Sequence, residues 1–485
     1  RGEHPLSAHV RLSGTVYVRT NHTQTVNGDQ REWEECAQTA GALCSTDEDG
    51  NETPVRDSSG MPVAFSDDYN AAENRTDTRQ TSYGASAQLA ADAPIAAREN
   101  HLFVGVDAGQ SQIRFRSKTT VGALDDDRVV ADLGFEDPAA PVAVDSTVTQ
   151  LGVYATDTFS IRPDLFLTVS ARLNLTQLSL EDQLGDDLSG DHSFFRVNPA
   201  IGLSYQPHTW LGGYASYSES NRAPTAVELT CASPTDPCRL PNAFLSDPPL
   251  DQVVAHTVEL GVRGAAQPSG LRIGYDLAAF RTVNSSDILF ISSGMVANLG
   301  YFANVGDTRR QGIEVGFTAR KPIGDESRLD LAVHYTFLDA TFETPFTAPS
   351  ALHPEADDGA IDVPAGARLP SVPRHIVKVA LDARLAFGLS GGVSIIGNSG
   401  QYLRGDEANL LHPVPGFTVV NARAAYRVGP HASVFAMVNN LLDAKDSTFG
   451  VLGDASEVLG PTYDSPRFLG PGAPRAAWLG VDLHD

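Results

Sequence analysis

Apolar and polar residues alternate with period two along most of the chain, the mark of strands whose two faces meet different surroundings. In residues 165–176, LFLTVSARLNLT, one face carries Leu165, Leu167, Val169, Ala171, Leu173 and Leu175, and the other Thr168, Ser170, Arg172, Asn174 and Thr176. The alternation returns at Val197, Ile201, Leu203 and Tyr205 against Arg196, Asn198, Ser204 and Gln206. Leu271, Ile273, Tyr275, Leu277 and Ala279 likewise oppose Arg272, Gly274 and Asp276. Ile313, Val315, Phe317 and Ala319 oppose Glu314, Thr318 and Arg320, and Val377, Val379, Leu381 and Leu385 oppose Lys378, Asp382 and Arg384. Each of these strands has a charged face. The pattern predicts about 16 strands, uncertain by about two. They lie near 6–19, 76–91, 99–119, 146–161, 165–180, 192–205, 209–220, 255–264, 271–283, 309–320, 328–340, 373–385, 390–400, 416–428, 432–442 and 474–483. Residues 285–305 read as an extra hairpin within a long loop.

These strands run roughly 10–16 residues against a usual mode of about 5–6, long enough to cross a bilayer at a tilt. Their connections alternate in length. Short ones fall at 162–164, 206–208, 264–270, 321–326, 386–390 and 429–431, and long polar ones at 21–74, 125–145, 181–191, 221–254, 341–372, 401–415 and 443–471. Short turns at one end and long loops at the other are how an outer-membrane barrel reads, with the turns periplasmic and the loops extracellular. In hydrocarbon every backbone N–H and C=O must find a partner within the protein, which leaves helices or closed barrels. No run of about 18 apolar residues is present, so a membrane helix is excluded. The expected fold is all-β: a transmembrane antiparallel up-and-down barrel with apolar faces to lipid and charged faces to the lumen. A one-residue slip would put Arg172 in lipid, at roughly 2–4 kcal/mol near the midplane.

Composition sharpens this picture. A length of 485 residues would suggest three domains on a soft prior of about 150 each, yet the pattern describes one continuous wall over 1–485. The net charge of −25, from 35 Lys plus Arg against 60 Asp plus Glu, excludes a nucleic-acid partner, which needs clustered positive charge. Residues 1–10 show no signal-peptide apolar core. The four cysteines form two local pairs, Cys36 with Cys44 and Cys231 with Cys238, both in long polar loops. Two short disulfides in an oxidising compartment are expected. A zinc site is the competitor, but neither pair has the tight C-x2-C form.

The segments GVYATDTFSIRPDLFLTVSARLN at 152–174, YASYSESNRAPTAVEL at 214–229, NVGDTRRQGIEVGF at 304–317, LPSVPRHIVKVAL at 369–381 and VNNLLDAKD at 438–446 together resemble the C-terminal barrel of a TonB-dependent outer-membrane receptor. Residues before 152, including NRTDTRQTSYGASAQL at 74–89, fit more loosely. The resemblance implies a bacterial outer-membrane location and energised uptake of a scarce nutrient such as a ferric siderophore, another metal chelate, cobalamin or an oligosaccharide. It implies a plug domain inside the barrel and a periplasmic TonB-type energy-coupling complex that pulls on an N-terminal segment. Lipid and lipopolysaccharide would surround a monomer. Such barrels have 22 strands around a plugged lumen. This chain departs from that pattern: no plug or coupling box is recognisable and about six strands are wanting, so an N-terminally incomplete barrel is expected. The usual terminal aromatic is also replaced by Asp485.

Candidate ligand-binding residues are Asn221, Arg222 and Glu228, with Pro224 among them, where a strand leaves the membrane. The competing reading is that this cluster shapes the strand end and orders the Cys231–Cys238 loop. Asp47 and Asp49, in the run Asp47, Glu48, Asp49, Gly50, could hold calcium, as could Asp125 to Asp127, since carboxylates near a turn suit a hard cation. Solvated turns explain them equally. The thirteen histidines show no ligand spacing, and no cofactor is expected. The chain has no G-x-S-x-G, H-E-x-x-H or P-loop, so an enzyme is not expected. The alternatives to a receptor are a passive 16-stranded pore, since such barrels leave an aqueous channel, and a secreted adhesion module.

Overall fold

The structure, a computed structural model, describes residues 1–31, 33–46, 52–125, 127, 129–138, 141–185, 188–231, 238–239, 250–292, 299–324, 326–453 and 465–483. Sixteen long strands follow one another as an antiparallel meander. They are β1 (Val10–Gln30), β2 (Ala71–Ala91), β3 (Asn100–Leu124), β4 (Val142–Arg162), β5 (Leu165–Asp182), β6 (Gly190–His208), β7 (Leu211–Arg222) and β8 (Val253–Ala266). After them come β9 (Arg272–Ser285), β10 (Thr308–Pro322), β11 (Arg328–Phe342), β12 (His375–Arg384), β13 (Leu389–Asn398), β14 (Phe417–Arg427), β15 (Ala432–Asn439) and β16 (Ala476–Leu483). Each pairs with its sequence neighbours. Short strands Gly2–Pro5 and Val130–Glu136 add to the flanks of β1 and β3. Among the described residues no pairing joins β16 to β1; the outer edge of β1 is paired only over Arg11–Gly14, by Gly2–Pro5, and β16 pairs on one side alone.

Register follows the alternation. One row crosses the wall from Leu167 through Leu203, Ala215, Leu260, Ala279 and Ile313 to Phe337, all on the outward face. Val169, Ile201, Leu260 and Leu381 are 50%, 50%, 56% and 44% exposed, which only an apolar solvent makes tolerable over so large a surface. Two charged residues interrupt this face: Asp157, opposite Leu102 and Val169, and Arg281, opposite Val258. The inward rows are polar: Asp107 pairs with Gly152, Gly152 with Asn174, and Asn174 with Arg196. No described helix is long and apolar enough to cross a membrane.

The expected boundaries need one substantial correction. β1 and β2 pair from Val10–Ala91 to Gln30–Ala71, so residues 21–30 and 71–74 of the expected 21–74 loop belong to these strands. There, Thr20, His22 and Gln24 on one face and Asn21, Thr23 and Thr25 on the other are all polar. The strand stands in water on both sides, and the period-two signal vanishes. The expected 285–305 hairpin is present as Ile288–Ser292 paired with Leu299–Asn304.

The buried cores lie at one end of the wall, where the long loops fold onto the strand ends. One cluster gathers Trp33, Leu43, Val55 and Val63 over Val121, beside the Cys36–Cys44 disulfide. A second packs Leu178, Leu180, Leu229, Val253 and Ile288. A third centres on Phe342, which is fully buried among Ala348, Ile361, Val363 and Leu369. Long loops that bury apolar cores of their own hold a fixed shape above the wall.

Candidate ligand site in the barrel lumen

The inward face of β3, β4 and β5 meets the chain that leaves β7, and together they enclose a cavity of about 510 Å³. Arg172 is its central cation. Its Nη2 donates to Asp107 Oδ1 at 2.9 Å, its Nε to Asn174 Oδ1 at 2.6 Å, and its guanidinium lies 5.6 Å from the Tyr154 ring centroid. Gly152 makes this possible. A Cβ there would stand 2.1 Å from Arg172 Nη2, so no larger residue leaves the guanidinium its place.

The roof is residues 221–229. Asn221 Oδ1 accepts from Asn174 Nδ2 at 2.9 Å and from Asn198 Nδ2 at 2.7 Å, while its Nδ2 donates to Gln252 Oε1 at 2.9 Å. Pro224 then precedes Thr225, the N-cap of the single turn α1 (Ala226–Leu229). Glu228 is buried and closes a capping box: Thr225 N donates to its Oε2 at 2.8 Å, and Glu228 N donates to Thr225 Oγ1 at 3.3 Å. Arg222 Nη1 lies 2.7 Å from the same Oε2. Leu229 anchors the turn in the core under Ile288.

The three residues expected at this site are therefore brought together, in unequal roles. Asn221 and Glu228 have their hydrogen-bonding capacity engaged in bracing the roof, whereas Arg222 is half-exposed along the cavity. Reasoning from sequence missed Arg172 and Asp107. Arg172 stood on a predicted polar face and Asp107 within a predicted strand, but their meeting across an intervening strand depends on register. What the arrangement offers a ligand is a recess lined on one side by Ile113, Val148, Leu175 and Leu178 and on the other by two guanidiniums and Asn174, the guanidiniums already facing Asp107 and Glu228, so an anionic ligand would bind by sharing them.

The other expected sites fall differently. Cys36 and Cys44 are disulfide-bonded. Cys231 is also disulfide-bonded, while the Cys238 side chain lies outside the described residues, as do Asp47, Glu48, Asp49 and Gly50. Asp125 Oδ1 accepts from Val129 N at 2.8 Å and so serves a turn; Asp126 lies outside the described residues. Among the described residues no group of three His, Cys, Asp or Glu could hold a metal ion.

A second polar cluster, unforeseen from sequence, lies in the loops. His353 Nδ1 accepts from Glu355 N at 3.0 Å, which leaves its Nε2–H to face Asp406 Oδ1 at 3.2 Å. Asp406 also accepts from Leu410 N and Leu411 N, and Ser350 Oγ donates to Gly405 O at 2.7 Å. Beside it, Glu407 Oε1 accepts from Gly405 N while Oε2 is buried without a partner. Burial first, then the neighbouring Asp406, pushes the Glu407 carboxyl up to about 7. This cluster ties the β11–β12 loop to the β13–β14 loop.

Fold and cavity together define an outward-apolar, inward-polar barrel wall roofed by structured loops. The family model for the TonB dependent receptor-like β-barrel matches residues 10–441, and the chain belongs to that family. No curated protein matches it. Among solved structures, the siderophore receptor PiuA from Acinetobacter baumannii is similar at 16% identity and a TM-score of 0.67, over 99% of this chain and 63% of that one. The closed form of the ferric-catecholate import receptor Fiu from E. coli K12 aligns at 16% identity and a TM-score of 0.65, over 100% and 63%. BauA, the ferric preacinetobactin receptor from Acinetobacter baumannii, aligns at 18% and 0.61, over 99% and 61%. The chain thus spans less than two thirds of the length of these relatives, and identities this low speak for the fold alone.

Proposed function

We propose that this chain is the wall of a bacterial outer-membrane receptor that takes up a scarce chelated nutrient, a ferric siderophore or similar chelate, by energy-coupled transport. The observation that carries the reading is the lumenal recess around Arg172, Asn174 and Arg222, set beneath loops with buried cores of their own, in a chain of the TonB-dependent receptor-like family. A recess with guanidiniums and amides suits the anionic oxygens of such a chelate. The siderophore receptors among the similar structures support the same ligand class.

The receptor would be larger than this wall. Wall edges that are largely unpaired among the described residues, and a length near 63% of similar receptors, support further strands together with a plug and a coupling segment that engages a TonB-type complex. The test is uptake of radioactive iron by a bacterium deleted for the gene and complemented with the whole reading frame. Iron starvation should raise expression, and uptake of at least one ferric chelate should depend both on the gene and on the proton gradient. Uptake that persists without the gradient, or steady ion conductance of the full receptor in a planar bilayer, would instead make it a passive pore.

A further inference from the structure

The lumenal face carries a second charged row, at the short-turn end of the wall. Arg272 on β9, Arg320 on β10, Asp330 on β11, Asp382 on β12, Gly392 on β13 and Arg423 on β14 stand opposite one another in turn. Arg328 and Arg384 face each other one row nearer the turns. Like charges thus meet at Arg272–Arg320, Asp330–Asp382 and Arg328–Arg384, which is unfavourable unless opposite charge offsets it. For the carboxylates it is offset. Arg320 and Arg328 both pair with Asp330, the second at 2.9 Å, and Arg423 Nη2 donates to Asp382 Oδ1 at 2.7 Å. Arg272 and Arg384 are exposed and have no ion pair among the described residues. Arg320, Arg328, Arg384 and Arg423 border a cavity of about 520 Å³, with Phe435 and Met437 on its apolar side. Arg272 borders an adjoining one of about 450 Å³. Arg423 reaches Asp382 across Gly392, where a Cβ would collide with the carboxylate. Arg172, Gly152 and Asp107 make the same arrangement in the recess at the loop end.

We propose, resting on the receptor reading above, that this row is a second and weaker site for the transported anionic chelate, occupied as it leaves the barrel at the short-turn end. The repeated arrangement selects the occupant: a ligand that shares guanidiniums with carboxylates in the recess meets the same chemistry again at the exit. Charge supports it as well. In a chain of net charge −25, five guanidiniums against two carboxylates make a local positive excess that draws an anion toward the exit. The excess resides in Arg272 and Arg384, and planar guanidiniums suit the oxygens of a chelate. A cavity of this size suits a small ligand. Guanidiniums already shared with Asp330 and Asp382 hold a passing anion loosely, and a site on a path must release as well as bind.

A bacterium deleted for the gene is complemented with the whole reading frame, wild type or Arg272→Gln/Arg384→Gln, and given radioactive iron as ferric citrate or as an anionic ferric tris-catecholate. Binding to de-energised cells should be the same for both proteins, while the maximal uptake rate of energised cells should fall at least fivefold in the variant. Arg272→Lys/Arg384→Lys, which keeps the charge, should recover most of the rate. Should the glutamine variant fail to reach the outer membrane, each single variant should show a smaller loss of the same sign. Normal binding with an unchanged rate overturns the exit site alone, as does an equal loss of rate in the lysine variant. Steady ion conductance of the glutamine variant in a planar bilayer, with none from the wild type, overturns it too, because the row would then seat a plug. Wild-type cells that bind neither chelate defeat the receptor reading, and the exit site with it.

Discussion

Arg172 reaches across Gly152, on the strand between them, to meet Asp107 at 2.9 Å. The intervening strand offers no side chain at that point, and the guanidinium lies where a Cβ would be. Gly152→Leu should therefore push Arg172 off Asp107 and into the cavity. Both partners are more than a third exposed, so losing the ion pair should cost stability only about 1 kcal/mol or less. Under the proposed function, affinity for the chelate should fall by at least tenfold, because the recess is refilled. Equilibrium binding to the purified receptor, alongside urea unfolding, reads both; unchanged affinity would show that the ligand does not use this row.

Glu407 should make the loop clasp sensitive to pH. The groups facing it are Asp406 and Arg404 from its own loop and Tyr301 from the 288–304 hairpin, with His353 facing Asp406 from the β11–β12 loop. Its folded-state pKa is raised, so folding favours the protonated acid. The contribution is fully present below the ordinary glutamate range near 4.5 and is lost as pH rises through about 7. Amide exchange at Leu410 and Leu411, corrected for intrinsic rates, should accelerate between pH 5.5 and 8.5 in the wild type and stay level in Glu407→Gln. The same acceleration in both proteins would remove Glu407 as the cause.

Glu228 braces the roof through two separable contacts, the capping box and Arg222. Glu228→Gln keeps an oxygen for Thr225 N but discards the charge, whereas Glu228→Ala discards both. Loss of the cap should cost about 1 kcal/mol locally, and leaving Thr225 N without its partner adds to it. Amide exchange over 225–230 should rise modestly in the glutamine variant and several-fold in the alanine variant, with the wall strands unchanged. If both variants exchange alike, the capping box is not what holds the turn.

The wall was legible in the sequence because lipid and lumen impose opposite demands on alternate residues, as at Leu173 and Asn174. That signal ends where both faces meet water, which is why β1 was expected to stop well short of Gln30. The lumenal site was half legible. Asn221, Arg222 and Glu228 are near in sequence and drew notice as a group, whereas Arg172 and Asp107 are 65 residues apart and are joined by register. Glu407 carried no sequence signal, since its burial depends on loops that begin on different strands folding over one another.

The two faces of one strand supply the sharpest test of the wall. Val153 on β4 faces outward and is 45% exposed, paired with Val106 and Leu173. Thr156 faces the lumen, its hydroxyl 2.7 Å from Ser170 Oγ. Arginine at the outward position would lie in hydrocarbon and should lower folding stability by roughly 2–4 kcal/mol. At the lumenal position it meets water and polar neighbours, and the change should stay within about 1 kcal/mol. Folding titrations of Val153→Arg and Thr156→Arg into phosphatidylcholine vesicles compare them directly. Equal penalties would mean that the outward face does not meet lipid, and a larger penalty at Thr156 would invert the wall.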